Sequence, residues 1–112
     1  MRNIMVESKA IGICFVTEII KSGNGFQGKI DMKDCEFHNL EVGNTLKVDF
    51  KSFKRDGVFF DLGFSYPLLI SKKGKKFLYF RIPKDLIDLY GFESGDRLEI
   101  SISARLIKRM KY

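Results

Sequence analysis

A chain of 112 residues, 45% of them hydrophobic, makes one ordinary domain with apolar material for a single core. Twenty Lys and Arg against fourteen Asp and Glu leave a net charge of +6 and an isoelectric point near 9.4, which permits attraction to polyanions without requiring it. No apolar run reaches the roughly 18–20 residues of a bilayer span, and Met1-Arg2-Asn3-Ile4-Met5 leads into no hydrophobic export segment, so a cytoplasmic protein with no membrane partner is expected.

Ala10 to Ile20, rich in Ile and Val, reads as a strand that ends in the turn Lys21-Ser22-Gly23-Asn24-Gly25, where Asn-Gly tolerates the positive φ of a tight hairpin. Phe26 to Ile30 returns as a second strand, and Met32 to Asn39 holds one short helical turn. From Thr45 to Lys51 the sequence alternates, with Leu46, Val48 and Phe50 on one side, as in a strand with one buried face. Phe53 to Gly57 reads as a polar turn, Val58 to Leu62 as a strand and Gly63 to Pro67 as an interruption. Leu68 to Ile70 opens a second hairpin whose tip is Lys72-Lys73-Gly74-Lys75-Lys76, and Phe77 to Ile82 returns from it. Pro83 suits the first turn of a helix, where its missing N–H is not needed; Leu86, Leu89 and Tyr90 share a helical face, and Gly91 ends the helix. Arg97 to Ser103 alternates with Leu98, Ile100 and Ile102 inward, and Ala104 to Met110 continues as a basic strand or tail. Eleven Phe and four Tyr without Trp suit a β-rich core.

Two parts of this frame recur 52 residues apart. Ile30 matches Ile82, Leu40 matches Phe92, Glu41 matches Glu93, Gly43-Asn44 matches Gly95-Asp96, and Leu46, Val48 and Phe50 match Leu98, Ile100 and Ile102. Repeat one runs from about 10 to 52 and repeat two from about 58 to 105, each ββαβ, within a single domain of residues 1–112. Neither unit covers its own apolar face. Two units about a pseudo-twofold axis close a mostly β, six-stranded barrel and leave no open sheet edge.

The stretch from about Lys75 to Ile102, through Ile82-Pro83, the helix to Leu89, Gly91-Phe92 and Gly95-Asp96-Arg97-Leu98-Glu99-Ile100, resembles the AbrB/MazE/SpoVT family of DNA-binding domains. The physical sense of the motif is a glycine that makes the tight turn and an acid that accepts backbone N–H bonds beside it. The resemblance implies a cradle-loop barrel. Family members with one unit pair into a swapped-hairpin dimer, whereas relatives with two units, the RIFT and double-psi barrels, close within one chain. Two units here therefore imply a RIFT-like barrel before a double-psi barrel or a swapped-hairpin dimer, in a monomer or homodimer. The resemblance also implies a transcriptional regulator, although the family's arginine positions on the short helix are here Ile87 and Asp88, and Cys35 and Glu36 in the first repeat.

Nucleic acid, DNA before RNA, is then expected to be held by basic loops. The candidate residues are Lys72, Lys73, Lys75 and Lys76 at the second hairpin tip, with Arg81 and Arg97 flanking the helix for bidentate contacts. Lys51, Lys54 and Arg55 form a second basic group, and Arg105, Lys108, Arg109 and Lys111 a third. With equal weight, such lysines are solvated turns that protect an edge from aggregation. Phe59, Phe60, Phe64, Tyr66, Phe77, Tyr79 and Phe80 are expected mostly in the core, with Phe59 and Phe60 pointing opposite ways. Cys14 and Cys35 are expected as reduced packing residues. His38, three positions from Cys35, makes no zinc site without further ligands. No phosphate loop, nucleophile elbow or dinucleotide fingerprint occurs, so no enzyme, cofactor or metal is expected. The alternative is an adaptor barrel, similar to the substrate-recruiting barrels of AAA proteins, with a groove beside Phe60, Phe64 and Tyr66.

Overall fold

Leu46, Val48, Phe50, Leu98, Ile100 and Ile102 are each no more than 1% exposed, so the two alternating stretches form the middle of one apolar layer. The computed structural model describes the backbone of residues 2–111 and the side chains of residues 10–106; the side chains of Lys108, Arg109 and Lys111 lie outside the described residues. The elements are β1 (Arg2–Glu18), β2 (Ile20–Ser22), β3 (Gly25–Asp31), α1 (Met32–Phe37), β4 (Thr45–Arg55), β5 (Val58–Lys73), β6 (Phe77–Ile82), α2 (Lys84–Tyr90) and β7 (Arg97–Lys111).

The strands form one antiparallel sheet in the order β1-β7-β4-β5-β6-β3-β2. Its two edges, β1 and β2, are consecutive in the chain on either side of Ile19, so the sheet curls into a half-barrel around the core. The first layer is β1, β7, β4 and the part of β5 that pairs with β4 up to Leu69. The second is the end of β5 from Ile70, with β6, β3 and β2. No helix among the described residues is long and apolar enough to cross a membrane.

Several expectations change. There are seven strands rather than six, because the first strand breaks at the fully buried Ile19. Its N–H donates to the Asp96 carbonyl and its carbonyl accepts from Gly95 N–H, both at 2.8 Å, so its backbone is spent on the 91–96 corner. The turn expected over Phe53 to Gly57 shrinks to Asp56 and Gly57, whose φ of 51° and 80° make a two-residue hairpin turn, and Phe53 to Arg55 belong to β4. Gly63 to Pro67 interrupts nothing. Here β5 pairs with β4 on one side only, and such an edge tolerates the missing N–H of Pro67. On α2 the inward face is Leu86, Ile87 and Tyr90, because Tyr90 stacks on Phe64 and Phe92 and so sets the helix rotation; Leu89 is 73% exposed. Cys35 is a core residue whose burial pushes its thiol pKa up to about 11, whereas Cys14 is an exposed free thiol on β1. It belongs to the outward set of the strand, between inward neighbours such as Ile13.

The corners at residues 39–44 and 91–96 share a set of backbone conformations and hydrogen bonds. Asn39 and Gly91 both take positive φ (55° and 65°), as do Gly43 and Gly95 (97° and 95°), where glycine meets no steric cost. Glu41 N–H donates to Asn44 Oδ1 at 2.9 Å, and Glu93 N–H to Asp96 Oδ2 at 2.8 Å. Gly43 N–H and the Asn44 carbonyl bond Ile70 as Gly95 and Asp96 bond Ile19. Between the halves, Gly28 faces Phe80 and Asp49 faces Ser101, each pair 52 positions apart. Gly28 is required there, since a Cβ would run into the Phe80 ring that fills the middle of the core.

Candidate nucleic-acid interface

On β6, Leu78, Phe80 and Ile82 are no more than 2% exposed, so the alternating residues Phe77, Tyr79 and Arg81 face outward from the second layer. The register sets Lys29 of β3 and Lys72 of β5 on either side of Tyr79, and Gln27 beside Arg81. Three cations and two half-buried rings are thereby interleaved. Lys29 Nζ stands 4.3 Å over the Phe77 centroid and Lys72 Nζ 5.9 Å over that of Tyr79, while the two rings meet edge to face at 6.4 Å. The carboxylate in these rows, Asp31, caps α1 by accepting the Lys33 N–H at 2.8 Å.

Lys73, Lys75 and Lys76 are exposed at the rim of this face. The Lys76 carbonyl accepts the Met32 N–H at 2.9 Å, which pins the hairpin tip beside the start of α1. At the opposite end, the Arg81 guanidinium lies against bare Gly25, where any Cβ would collide with it. It borders a groove of about 360 Å³ with Asn24, Phe26, Lys84, Ile87 and Asp88. The place related to it across the β3–β6 ladder, under Lys29, is filled by the Phe77 ring.

Of the six candidates, Lys72 and Arg81 lie on this face, and Lys73, Lys75 and Lys76 border it. Arg97 does not join them. The chain crosses through α2 and the 91–96 corner to the other layer, so the two arginines that flank the helix in sequence separate in space. Arg97 pairs with Lys54 and Glu18 and lines a hollow of about 440 Å³ with Val16, Ser52, Phe59 and Glu99. The residue missing from the sequence expectation is Lys29. Its outward direction follows from the inward Ile30 next to it, and it stands 52 positions before Arg81.

Arg55 also leaves the candidate pool. Its Nε donates to Asp96 Oδ1 at 2.8 Å, its Nη2 to Asp96 Oδ2 at 2.5 Å and to the Gly91 carbonyl at 2.8 Å, and its Nη1 meets Glu93 at 3.0 Å. Burial alone works against a charged Asp96, but the Arg55 and Glu93 N–H bonds and the Arg55 charge outweigh it and hold the carboxyl below its usual range. The hydrogen bonds to Asp96 raise the Arg55 pKa in turn. This pair ties the β4–β5 hairpin to the corner before β7.

The central rings are engaged in packing. Phe60 stacks on Phe53 at 4.8 Å, Phe53 meets Phe92 edge to face at 5.0 Å, and Phe64 lies between Phe50 and Tyr90 at 4.8 and 5.1 Å. Phe59 points the other way, 66% exposed, with Lys54 over its ring. Tyr66 is half-buried against the core. Among the described residues, no three of His, Cys, Asp and Glu stand where they could hold a metal ion.

No family model and no curated protein matches this chain. Among solved structures it is similar to the solution structure of PHS018 from Pyrococcus horikoshii, with a TM-score of 0.64 and 16% sequence identity over 92% of this chain and 100% of that one. A likeness at that identity concerns the fold alone.

Proposed function

We propose that this chain is a duplicated cradle-loop barrel of the RIFT type that binds nucleic acid through the outer face of its second layer, as a cytoplasmic, non-enzymatic regulator. The observation that carries the binding is the grouping of Lys29, Lys72 and Arg81 on one sheet face, with Lys73, Lys75 and Lys76 at its rim and the neighbouring Asp31 occupied as a helix cap. Such a face neutralises several phosphates of a polyanion and reads their positions before any base. The duplicated barrel is supported by the matched corners, by the pairing of Gly28 with Phe80 and of Asp49 with Ser101, and by the continuity of the edge strands through Ile19. Those ladders join the two halves of one chain, which favours intramolecular closure over a swapped-hairpin dimer.

The test is fluorescence anisotropy with labelled DNA and RNA oligonucleotides across a salt titration. The triple variant Lys29→Glu, Lys72→Glu and Arg81→Glu should bind at least about tenfold more weakly, with a shallower dependence of log affinity on log salt. Full affinity in that variant, or no binding by the unmodified chain at low salt, would end this reading and leave the adaptor role as the alternative.

A further inference from the structure

The helices of this molecule are poorly suited to a duplex. α1 and α2 have six and seven residues, and they carry Asp34 and Glu36, and Asp85 and Asp88, so neither offers a basic rod to the major groove. The second layer instead presents an outward sheet face on which rings and cations alternate. Phe77 and Tyr79 are two residues apart on β6, about 6.7 Å along a strand, and their centroids stand 6.4 Å apart. Phosphates of one duplex strand advance only about 3.4 Å each along the axis, and its bases are already stacked inside. A ring spacing of roughly twice that step suits an extended strand with its bases turned out.

The cations are set for the same ligand. Lys29 and Lys72 each rest an ammonium over a ring face, on long flexible stems. A base that takes the ring face displaces the ammonium sideways, where the adjoining phosphate receives it. Arg81 continues the row past Tyr79 and supplies the next cation. At Gly74, a Cβ would come within 2.9 Å of the Tyr79 ring, so glycine keeps the hairpin tip clear of that ring's edge. The opposite layer has a comparable pair in Lys54 over Phe59, but Glu18 and Glu99 stand beside its Arg97 and weaken its attraction for phosphate.

We propose that this face takes single-stranded nucleic acid, with two successive bases on Phe77 and Tyr79 and their phosphates on Lys29, Lys72 and Arg81. The inference rests on the nucleic-acid reading above and narrows it to unpaired strands, whether DNA or RNA. Stacking of this kind tolerates any base, since each has a π-face, and truncating one platform ring costs roughly tenfold or more in affinity.

The experiment compares an oligothymidylate and an oligouridylate of about 15 nucleotides with a duplex of the same length, at matched salt. The chain should prefer the single strands by at least about tenfold. Tyr79→Leu and Phe77→Leu, which keep apolar cover but remove the ring, should each weaken single-strand binding by roughly tenfold. Tyr79→Phe should bind normally, and unchanged melting curves would show the variants folded. Equal affinity for duplex, or full single-strand affinity in the double Leu variant, overturns the single-strand assignment; if the charge-reversal triple still loses binding, the broader reading stands. A chain that binds neither probe sinks both.

Discussion

On the first layer, Arg97 lies beside Glu18, with Glu99 two residues along the same strand, and Ser52 Oγ donates to Glu99 Oε1 at 3.1 Å. On the second layer, Lys29, Lys72 and Arg81 stand next to rings, an amide and glycine, while Asp31, two residues from Lys29, caps a helix and Asp88 lines the groove beside Arg81. The first layer also carries the hairpin that the Phe53–Phe60–Phe92 cluster and the Arg55–Asp96 pair hold in place. The contrast teaches how to sort surface cations in a basic protein. A cation bonded to a carboxylate, as Arg55 is to Asp96, is part of the architecture, and cations grouped on one face, as Lys29, Lys72 and Arg81 are, remain available to a polyanion.

If this division holds, changes in the interior and first layer cost stability and leave binding alone, and changes on the second layer do the reverse. The largest effect is expected for Phe50→Ala, a 1% exposed ring stacked on Phe64, at about 4 kcal/mol in denaturant unfolding. Asp96→Ala should follow at about 3 kcal/mol, because it removes the acceptor for both Arg55 and the Glu93 N–H. The Asp96 carboxyl titrates lower in the folded chain than in the unfolded one, so its contribution is present above the ordinary carboxylate pKa near 4 and is lost as pH falls below that. Asp96→Asn, which keeps an acceptor as Asn44 does in the other corner, should flatten that acid limb of the unfolding curve. At the rim, Lys73→Glu with Lys76→Glu should weaken nucleic-acid binding several-fold and reduce its salt slope, with melting unchanged. The smallest effect is expected for Leu89→Ser, within about 0.5 kcal/mol, because that side chain is 73% exposed.

The strands of the core were legible because period-two alternation is a local signal: Leu46-Val48-Phe50 and Leu98-Ile100-Ile102 face inward as their spacing demands. The glycine corners were legible for a similar reason, since Gly43 and Gly95 supply a conformation that other residues adopt only with strain. The continuity of β5 through Gly63 to Pro67 was not, because it depends on pairing with β4 on one side only, which is a long-range fact. The interface was half legible. The lysine tip announces itself by composition, but Lys29 becomes part of the site only through its register with Tyr79, and Arg97 leaves it only because the chain changes layers. Arg55 looked like a free loop cation until tertiary contact gave it Asp96 as a partner.

The assignment of binding to the second layer is tested most directly by two double reversals of equal charge, Lys29→Glu with Arg81→Glu against Lys54→Glu with Arg97→Glu. Their affinities for one labelled oligonucleotide are compared over a salt series. The first pair should lose at least about tenfold and flatten the salt slope by about two, while the second loses only what the lower net charge takes from both. Equal losses from the two pairs, or a larger loss from the second, would place the polyanion elsewhere.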